Sequence, residues 1–365
     1  MHSNQHVTIV HDGNKHNKSF IELVKRYHDI KLVEIKSLSA EDIKRSLLII
    51  VQVDLKDPEN LRPLKEKMSM PERENIPVLF LLDEFNRRQI VQSNILGATD
   101  YISYPCPDSN FIEIMGDLIN RVVEQAWSKL SPIQENALKV SMKVVENTFS
   151  NAAEGMDVAQ EDVKDSCDMI IEATSKDGLT DWMNAIRQHH NYTYRHSMMV
   201  CGYLTSFGML LGVKKADLQM LALGGMVHDI GKSKISLNIL DKPSKLDPHE
   251  WKIMMGHAEH SRIILETNNW HEDIIDIATH HHERLDGEGY PHRQKGRDVS
   301  DLARMTAIAD VFSGLVDKRS YKPSMSAEKA ISIMMEAEGH LDIPLVKAFQ
   351  AVVLSDEEKT FAYQQ

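Results

Sequence analysis

The chain has 365 residues, 42 Lys+Arg against 54 Asp+Glu, and a formal net charge of −12. That length suits two domains, each able to bury a core, and 42% hydrophobic with 26% charged residues excludes a disordered polymer. The acidic balance argues against a general nucleic-acid binder, and the longest apolar runs, 47–53 and 78–82, are far too short to span a bilayer. The first residues, MHSNQHVTIV, lack the basic-then-apolar layout of a secretory leader, and three widely spaced cysteines (Cys106, Cys167, Cys201) build neither a disulfide framework nor a zinc ribbon. A cytoplasmic enzyme or regulator, with no membrane and no nucleic-acid partner, is expected. Of the 18 histidines, 13 lie between His189 and His340, which places the chemistry in the C-terminal half.

In chain order, residues 7–10 read as a short strand, 20–27 as an amphipathic helix, and 47–53 and 78–82 as buried strands. Residues 101–103 form a last strand ahead of Pro105 and Pro107. Apolar strands spaced by helical patterns predict a doubly wound parallel sheet over residues 1–125. Their order and spacing resemble the receiver domain of two-component response regulators. The resemblance places Asp12 and Asp54 near that family's two acidic positions. Where the family has a hydroxyl after the fourth strand, this chain has Leu82 or Asp83. Where it has a Lys before Pro on the fifth strand, this chain has Tyr104. Without that cation nothing stabilises an acyl-phosphate, so the domain is expected to be degenerate and to serve as a dimerisation or partner-docking surface.

Residues 126–185 read as a helical linker, with helices over 133–149 and 158–174 that either pair between subunits or pack on the next domain. From 186 to 365 the pattern is all-helical, broken by loops at 233–248 and 286–299.

A His-Asp pair is weak evidence by itself, and the chain has three: His11-Asp12, His28-Asp29 and His228-Asp229. Only the third ends an apolar helix pattern (Leu218, Leu221, Met226, Val227) and runs into Ile230-Gly231-Lys232. Upstream, His196 shares a helical stripe with Met199, Tyr203, Phe207 and Leu210. Downstream come His257, the run His280-His281-His282, and Asp310 in a helix whose core stripe is Met305, Ile308, Phe312 and Leu315. Beside that stripe the small residues Ala303, Ala307 and Gly314 let the helix approach a site closely. Imidazole plus carboxylate without thiolate suits Fe, Mn, Ni or Zn in a hydrolytic centre. A carboxylate such as Asp229 can bridge two ions that together stabilise an in-line phosphoryl displacement.

His196, His228-Asp229 and Asp310 match the H…HD…D pattern of HD-superfamily phosphohydrolases, and HHERLDGEGYP (281–291) resembles the signature of the HD-GYP subfamily. HDIGKSKI, ILDKPSKLDPHE and DKRSYK fall in that subfamily's order as well, so the resemblance covers residues from about 193 to 349. It implies an all-α HD-GYP domain over 186–365 that hydrolyses cyclic di-GMP to linear pGpG, and in some members on to GMP. Carried over position by position, it implies metal ligands at His196, His228, Asp229, His257, His281, His282 and Asp310, while His280 has no counterpart. It also implies that Lys232, with Asp229, serves catalysis near the scissile phosphate, that Gly289, Tyr290 and Pro291 shape the substrate loop, and that Arg319 and Lys322 bind phosphate or guanine.

Departures narrow the expectation. Members with three metals carry a Glu where this chain has Tyr192, so two divalent ions, Fe or Mn with Ni as an alternative, and a pGpG product are expected. Ser313 replaces a second Asp of the family and Ser320 a Pro, which points to weaker or looser guanine recognition. The expected function is a metal-dependent cyclic di-GMP phosphodiesterase acting as a homodimer. The competing readings are a non-catalytic cyclic-dinucleotide sensor and a hydrolase for another cyclic dinucleotide such as cyclic GMP-AMP.

Overall fold

Five short strands in the first third of the chain build one parallel sheet. The structure, a computed structural model, describes residues 5–13, 18–187, 189–240, 242, 244–317 and 324–354, and falls into two units, 1–126 and 127–365. In the first unit the strands are β1 (His6–His11), β2 (Ile30–Glu34), β3 (Ser46–Gln52), β4 (Val78–Leu82) and β5 (Asp100–Ser103). They lie in the order β2-β1-β3-β4-β5, every neighbouring pair parallel, which is a doubly wound order. The connecting helices are α1 (Lys18–Tyr27), α2 (Ala40–Lys44), α3 (Pro58–Met68), α4 (Arg87–Ile95) and α5 (Asp108–Ala126).

Alternation along each strand divides the core between the two faces. Val10, Ile49, Val51 and Phe80 pack with Ile43 of α2 and with Leu64 and Met68 of α3. On the opposite face Phe20 of α1 meets Phe111 of α5 edge to face, ring centres 5.0 Å apart. β4 is buried along its whole length, which explains its unbroken apolar sequence. β2 is absent from the sequence reading. Only Val33 is buried in IKLVE, because this edge strand turns Lys31 and Glu34 outward, a common guard against edge pairing.

The second unit contains α6 (Pro132–Glu154), α7 (Gln160–Asp177), α8 (Leu179–Ile186), α9 (Tyr192–Leu211), α10 (Lys215–Val227), α11 (Leu237–Leu240) and α12 (Pro248–Met255). It continues with α13 (His257–Thr267), α14 (Glu272–His280), α15 (Asp301–Val316), α16 (Ala327–Met335) and α17 (Ile343–Val353). This unit is all-α among the described residues, as the patterning predicts. Helices α6 and α7 pack on each other and against α9. The sequence suggests one inward stripe on α9, whereas every residue from 195 to 208 is buried. The reason is position: α6, α7, α8, α10, α15 and α17 all surround it, leaving no face for solvent. Among the described residues no helix is long and apolar enough to cross a membrane.

Candidate metal centre

Four separate helix ends and one helix interior supply the polar side chains at the heart of the second unit. His196 lies one turn into α9, whose first turn is set by Asn191 accepting from the Tyr194 amide. His228 caps the C-terminal end of α10, and Asp229 opens the 3-10 segment Ile230–Lys234. His257 opens α13, His281 and His282 follow the end of α14, and Asp310 lies on α15. Two glycines permit the convergence. A Cβ on Gly225 would lie 3.0 Å from Cys201 Cα, tighter than most side chains accept, so glycine lets α10 approach α9 closely, and the His196 and His228 rings lie 5.3 Å apart. A Cβ on Gly231 would lie 2.0 Å from the His257 carbonyl oxygen, so only glycine lets the HDIG segment touch α13. Ser261 fastens that contact: its Oγ accepts from the Gly231 amide at 2.9 Å and donates to the His228 carbonyl at 3.1 Å.

Asp229 lies at the middle. Its Oδ2 faces His228 Nε2 at 3.4 Å and His196 Nε2 at 3.5 Å, while its Oδ1 faces His257 Nε2 at 3.3 Å and His281 Nε2 at 3.8 Å. Asp310 spans the same gap from the other side, Oδ1 at 2.9 Å from His196 Nε2 and Oδ2 at 3.8 Å from His282 Nδ1. The donors therefore fall into two groups, Asp229 with His257, His281 and His282, and His196 with His228 and Asp310. Within each group the donor atoms lie within 4.8 Å of one another. Lys232 Nζ makes an ion pair with Asp229 Oδ2.

The buried polar atoms fit a metal. Nε2 of His228, His257 and His281 and Oδ1 of Asp229 are buried without a hydrogen-bond partner, a costly arrangement for an apolar interior but the usual one for a ligand set. The opposite ring nitrogens are engaged. His228 Nδ1 donates to the Gly225 carbonyl at 2.9 Å, His257 Nδ1 to Met254 at 2.6 Å and His281 Nδ1 to Ala278 at 3.0 Å. Each bond puts the proton on Nδ1 and turns the Nε2 lone pair inward, the tautomer that binds cations. Ser313, whose identity departs from the family's Asp, lies buried against His196 Nδ1 at 3.2 Å, so it holds a ring in place instead of facing a base.

Charge follows the same logic. Burial pushes His257 down to about 4 and lowers His196 and His281, keeping these imidazoles neutral at pH 7. Burial alone would raise Asp229, but the Lys232 ammonium and the His228 ring hold it well below the carboxylate range. Asp310 is held low against the same burial by its bond to His196. Neutral imidazoles and ionised carboxylates are what a divalent ion needs, and His228 is the exception: burial would lower it, but Asp229 outweighs burial and raises it, so an ion taking its Nε2 would displace a proton.

Above the centre, the loop between α14 and α15 carries Gly289, Tyr290 and Pro291. The Tyr290 ring lies 4.7 Å from that of His282 and 6.3 Å from that of His257. The residue that shapes this loop, Glu283, received no role from the sequence. It is buried, and its two oxygens accept from the amides of His292 at 2.6 Å and Gln294 at 3.0 Å. A buried acid next to two histidines is the signal that points to it. Tyr192 stacks on His196 with ring centres 5.6 Å apart. Arg319, Ser320 and Lys322 lie outside the described residues.

Residues 181–345 match the family model of the HD domain. The chain is similar to the cyclic di-GMP phosphodiesterase PA4108 of Pseudomonas aeruginosa, 34% identical over 169 residues, covering 46% of this chain and 41% of that protein. It is also similar to the 3'3'-cGAMP-specific phosphodiesterase 2 of Vibrio cholerae, 33% identical over 222 residues, covering 60% of this chain and 40% of that protein. The chain thus spans about two fifths of the length of these curated relatives. In fold it resembles the HDG"Y"P protein Bd1817 from Bdellovibrio bacteriovorus, with a TM-score of 0.52 at 18% identity, over 67% of this chain and 80% of that one.

Proposed function

We propose that this HD domain is a metal-dependent phosphodiesterase that opens cyclic di-GMP to linear pGpG. The carrying observation is the pair of donor groups that share Asp229 and are spanned by Asp310, with inward lone pairs fixed by backbone carbonyls. In this reading His196, His228, Asp229, His257, His281, His282 and Asp310 hold two divalent ions, Fe or Mn before Ni. When bound, such a pair supplies an activated water and neutralises charge on the phosphate.

The chain's own residues do the rest. Asp229 and Asp310 keep the two positions at a set separation, and the carbonyl-anchored rings cannot turn away. Lys232, its side chain 16% exposed and its ammonium paired with Asp229, offsets charge growing on the phosphate oxygens. Tyr290 offers a ring face to a guanine and its hydroxyl to a phosphate, and Gly289 and Pro291 set the path of the loop. Arg319 and Lys322 bind phosphate or guanine in this reading.

The test mixes purified protein, loaded with Mn²⁺ or Fe²⁺, with cyclic di-GMP and resolves products by chromatography. Linear pGpG from the wild type and none from Asp229→Ala is expected. Undiminished turnover in that variant overturns the reading, and tight binding without turnover under every metal makes the chain a sensor. The Vibrio relative supports a second substrate, cyclic GMP-AMP, and competition across both dinucleotides ranks them.

The first unit completes the proposal as a receiver-like domain that works without phosphate, as a dimer or partner surface in the cytoplasm. Asp12 Oδ2 accepts from the Asp54 amide at 2.9 Å and from Asn60 at 3.2 Å, and Lys56 pairs with Glu84 at 2.5 Å. Tyr104, at the position where that family has its lysine, packs on Phe20 with ring centres 5.4 Å apart. Acetyl phosphate should therefore leave no aspartyl-phosphate mass shift. A shift that disappears in Asp54→Ala refutes the phosphate-free reading.

A further inference from the structure

The loop that carries Tyr290 is fastened to the end of α14 in two ways. The first is backbone. Alternate amides turn to the stretch that follows α14: Tyr290 donates to the His282 carbonyl at 3.2 Å, His292 and Gln294 to the Glu283 carboxylate, and Gly296 to the Leu285 carbonyl at 3.0 Å. The second is made by side chains. His280 Nε2 lies 2.9 Å from His292 Nδ1 and 3.2 Å from the Gln294 carboxamide nitrogen.

The direction of these bonds is set from behind. Burial would raise Asp276, but bonds from His280 and Ser300 hold it low, so its carboxylate only accepts. Asp276 Oδ1 lies 2.7 Å from His280 Nδ1, which therefore carries the ring proton. Nε2 is left as an acceptor, and the His292 Nδ1–H and the Gln294 N–H both donate to it. Ser300 caps α15, the helix that carries Asp310, so the bonds run from that helix through Asp276 and His280 into the loop. Arg293, between the two donors, has a φ of 56°, in the left-handed region that a non-glycine residue keeps only where its surroundings hold it. Both its neighbours are held, each by its amide and by its side chain.

We propose that His292, through its hydrogen bond to the Asp276-oriented His280, is a positioning residue for the substrate loop and keeps Tyr290 against the metal centre. The Tyr290 ring, 4.7 Å from that of His282, precedes His292 by two residues. Without the side-chain clamp the loop keeps its amide bonds but opens more often, and an arriving nucleotide must also order it. That cost falls on KM and leaves kcat alone. The effect on substrate rests on the phosphodiesterase reading, whereas the hold on the loop does not.

The test compares wild type, His292→Ala and His292→Asn, because His292 belongs to neither donor group. Asparagine keeps an N–H donor bonded to Cγ, where histidine has Nδ1. Two readouts are taken on Mn²⁺-loaded protein: KM and kcat for cyclic di-GMP, and the rate of tryptic cleavage after the exposed Arg293 and Lys295. At the worth of one hydrogen bond, His292→Ala should raise KM and the cleavage rate about three- to tenfold, with kcat and manganese content unchanged. His292→Asn should restore both. Wild-type KM and cleavage in His292→Ala, or no recovery in His292→Asn, overturn the clamp, as does a loss of kcat or metal in place of the KM effect. No turnover in any of the three defeats the phosphodiesterase reading instead, and the cleavage rates alone then decide the clamp.

Discussion

Gly231→Ala tests how the centre is assembled. The new methyl carbon would lie 2.0 Å from the His257 carbonyl oxygen and 2.5 Å from the Ser261 amide nitrogen, both backbone atoms, so no rotamer change relieves it. A carbon–oxygen contact needs about 3.3 Å, so the 3-10 segment must retreat from α13 by about 1.3 Å. Asp229 rides on that segment and His257 on α13, and a metal site tolerates errors of only about 0.2 Å in ligand distance. Overpacking of this kind costs about 1–3 kcal/mol, which in a unit of this size lowers Tm by roughly 2–4 °C per kcal/mol. The larger consequence is for metal. A ligand present at about 100 times its Kd stabilises the native state by about 2.7 kcal/mol, and the variant should lose that increment. The assay is calorimetric unfolding with and without Mn²⁺, beside Ser261→Ala. Ser261→Ala removes both hydrogen bonds without steric overlap, so it should lose stability yet keep its response to Mn²⁺. If Gly231→Ala melts at the wild-type temperature and gains as much from Mn²⁺, the close approach does not position the ligands.

Three further outcomes follow from the same geometry. Arg195→Met leaves buried Asp317 without the guanidinium that pairs with it at 2.9 Å, and chemical denaturation should show a loss of about 3–5 kcal/mol. Glu283→Gln keeps the shape but leaves one of two loop amides without its acceptor. At about 1.5–3 kcal/mol for a hydrogen bond to a charged group, KM for cyclic di-GMP should rise about tenfold or more while metal content stays unchanged. In the first unit, burial alone would raise Asp42, but bonds from Lys31 and Ser39 outweigh it and hold the carboxyl low. Its contribution is therefore present above the ordinary carboxylate range and is lost as pH falls through the lowered value. Asp42→Asn should cost about 1 kcal/mol at neutral pH, read by hydrogen exchange in β3, and the difference from wild type should vanish in acid.

Much of this was legible without coordinates. Unbroken apolar runs at β3 and β4 predict a sheet covered on both faces, and helical spacing predicts the all-α second unit, because burial periodicity is a local property of the chain. Asp229 and the histidines stood out because imidazole next to carboxylate in repeated motifs has few structural uses. Neighbourhood was not legible. β2 escaped because an edge strand buries one face at most. The all-round burial of α9 escaped because it depends on six surrounding helices.

The roles of Ser313 and Glu283 could not be read either: a hydroxyl behind His196 and an acid binding two loop amides are identified by what lies across the fold. The sequence by itself determined which chemical groups the chain brings and which helix ends carry them. Only the tertiary structure decided that Asp229 faces one donor group with each oxygen, and that His280 and His292 face each other. Side chains separated by tens of residues meet through packing, and no local pattern encodes that distance.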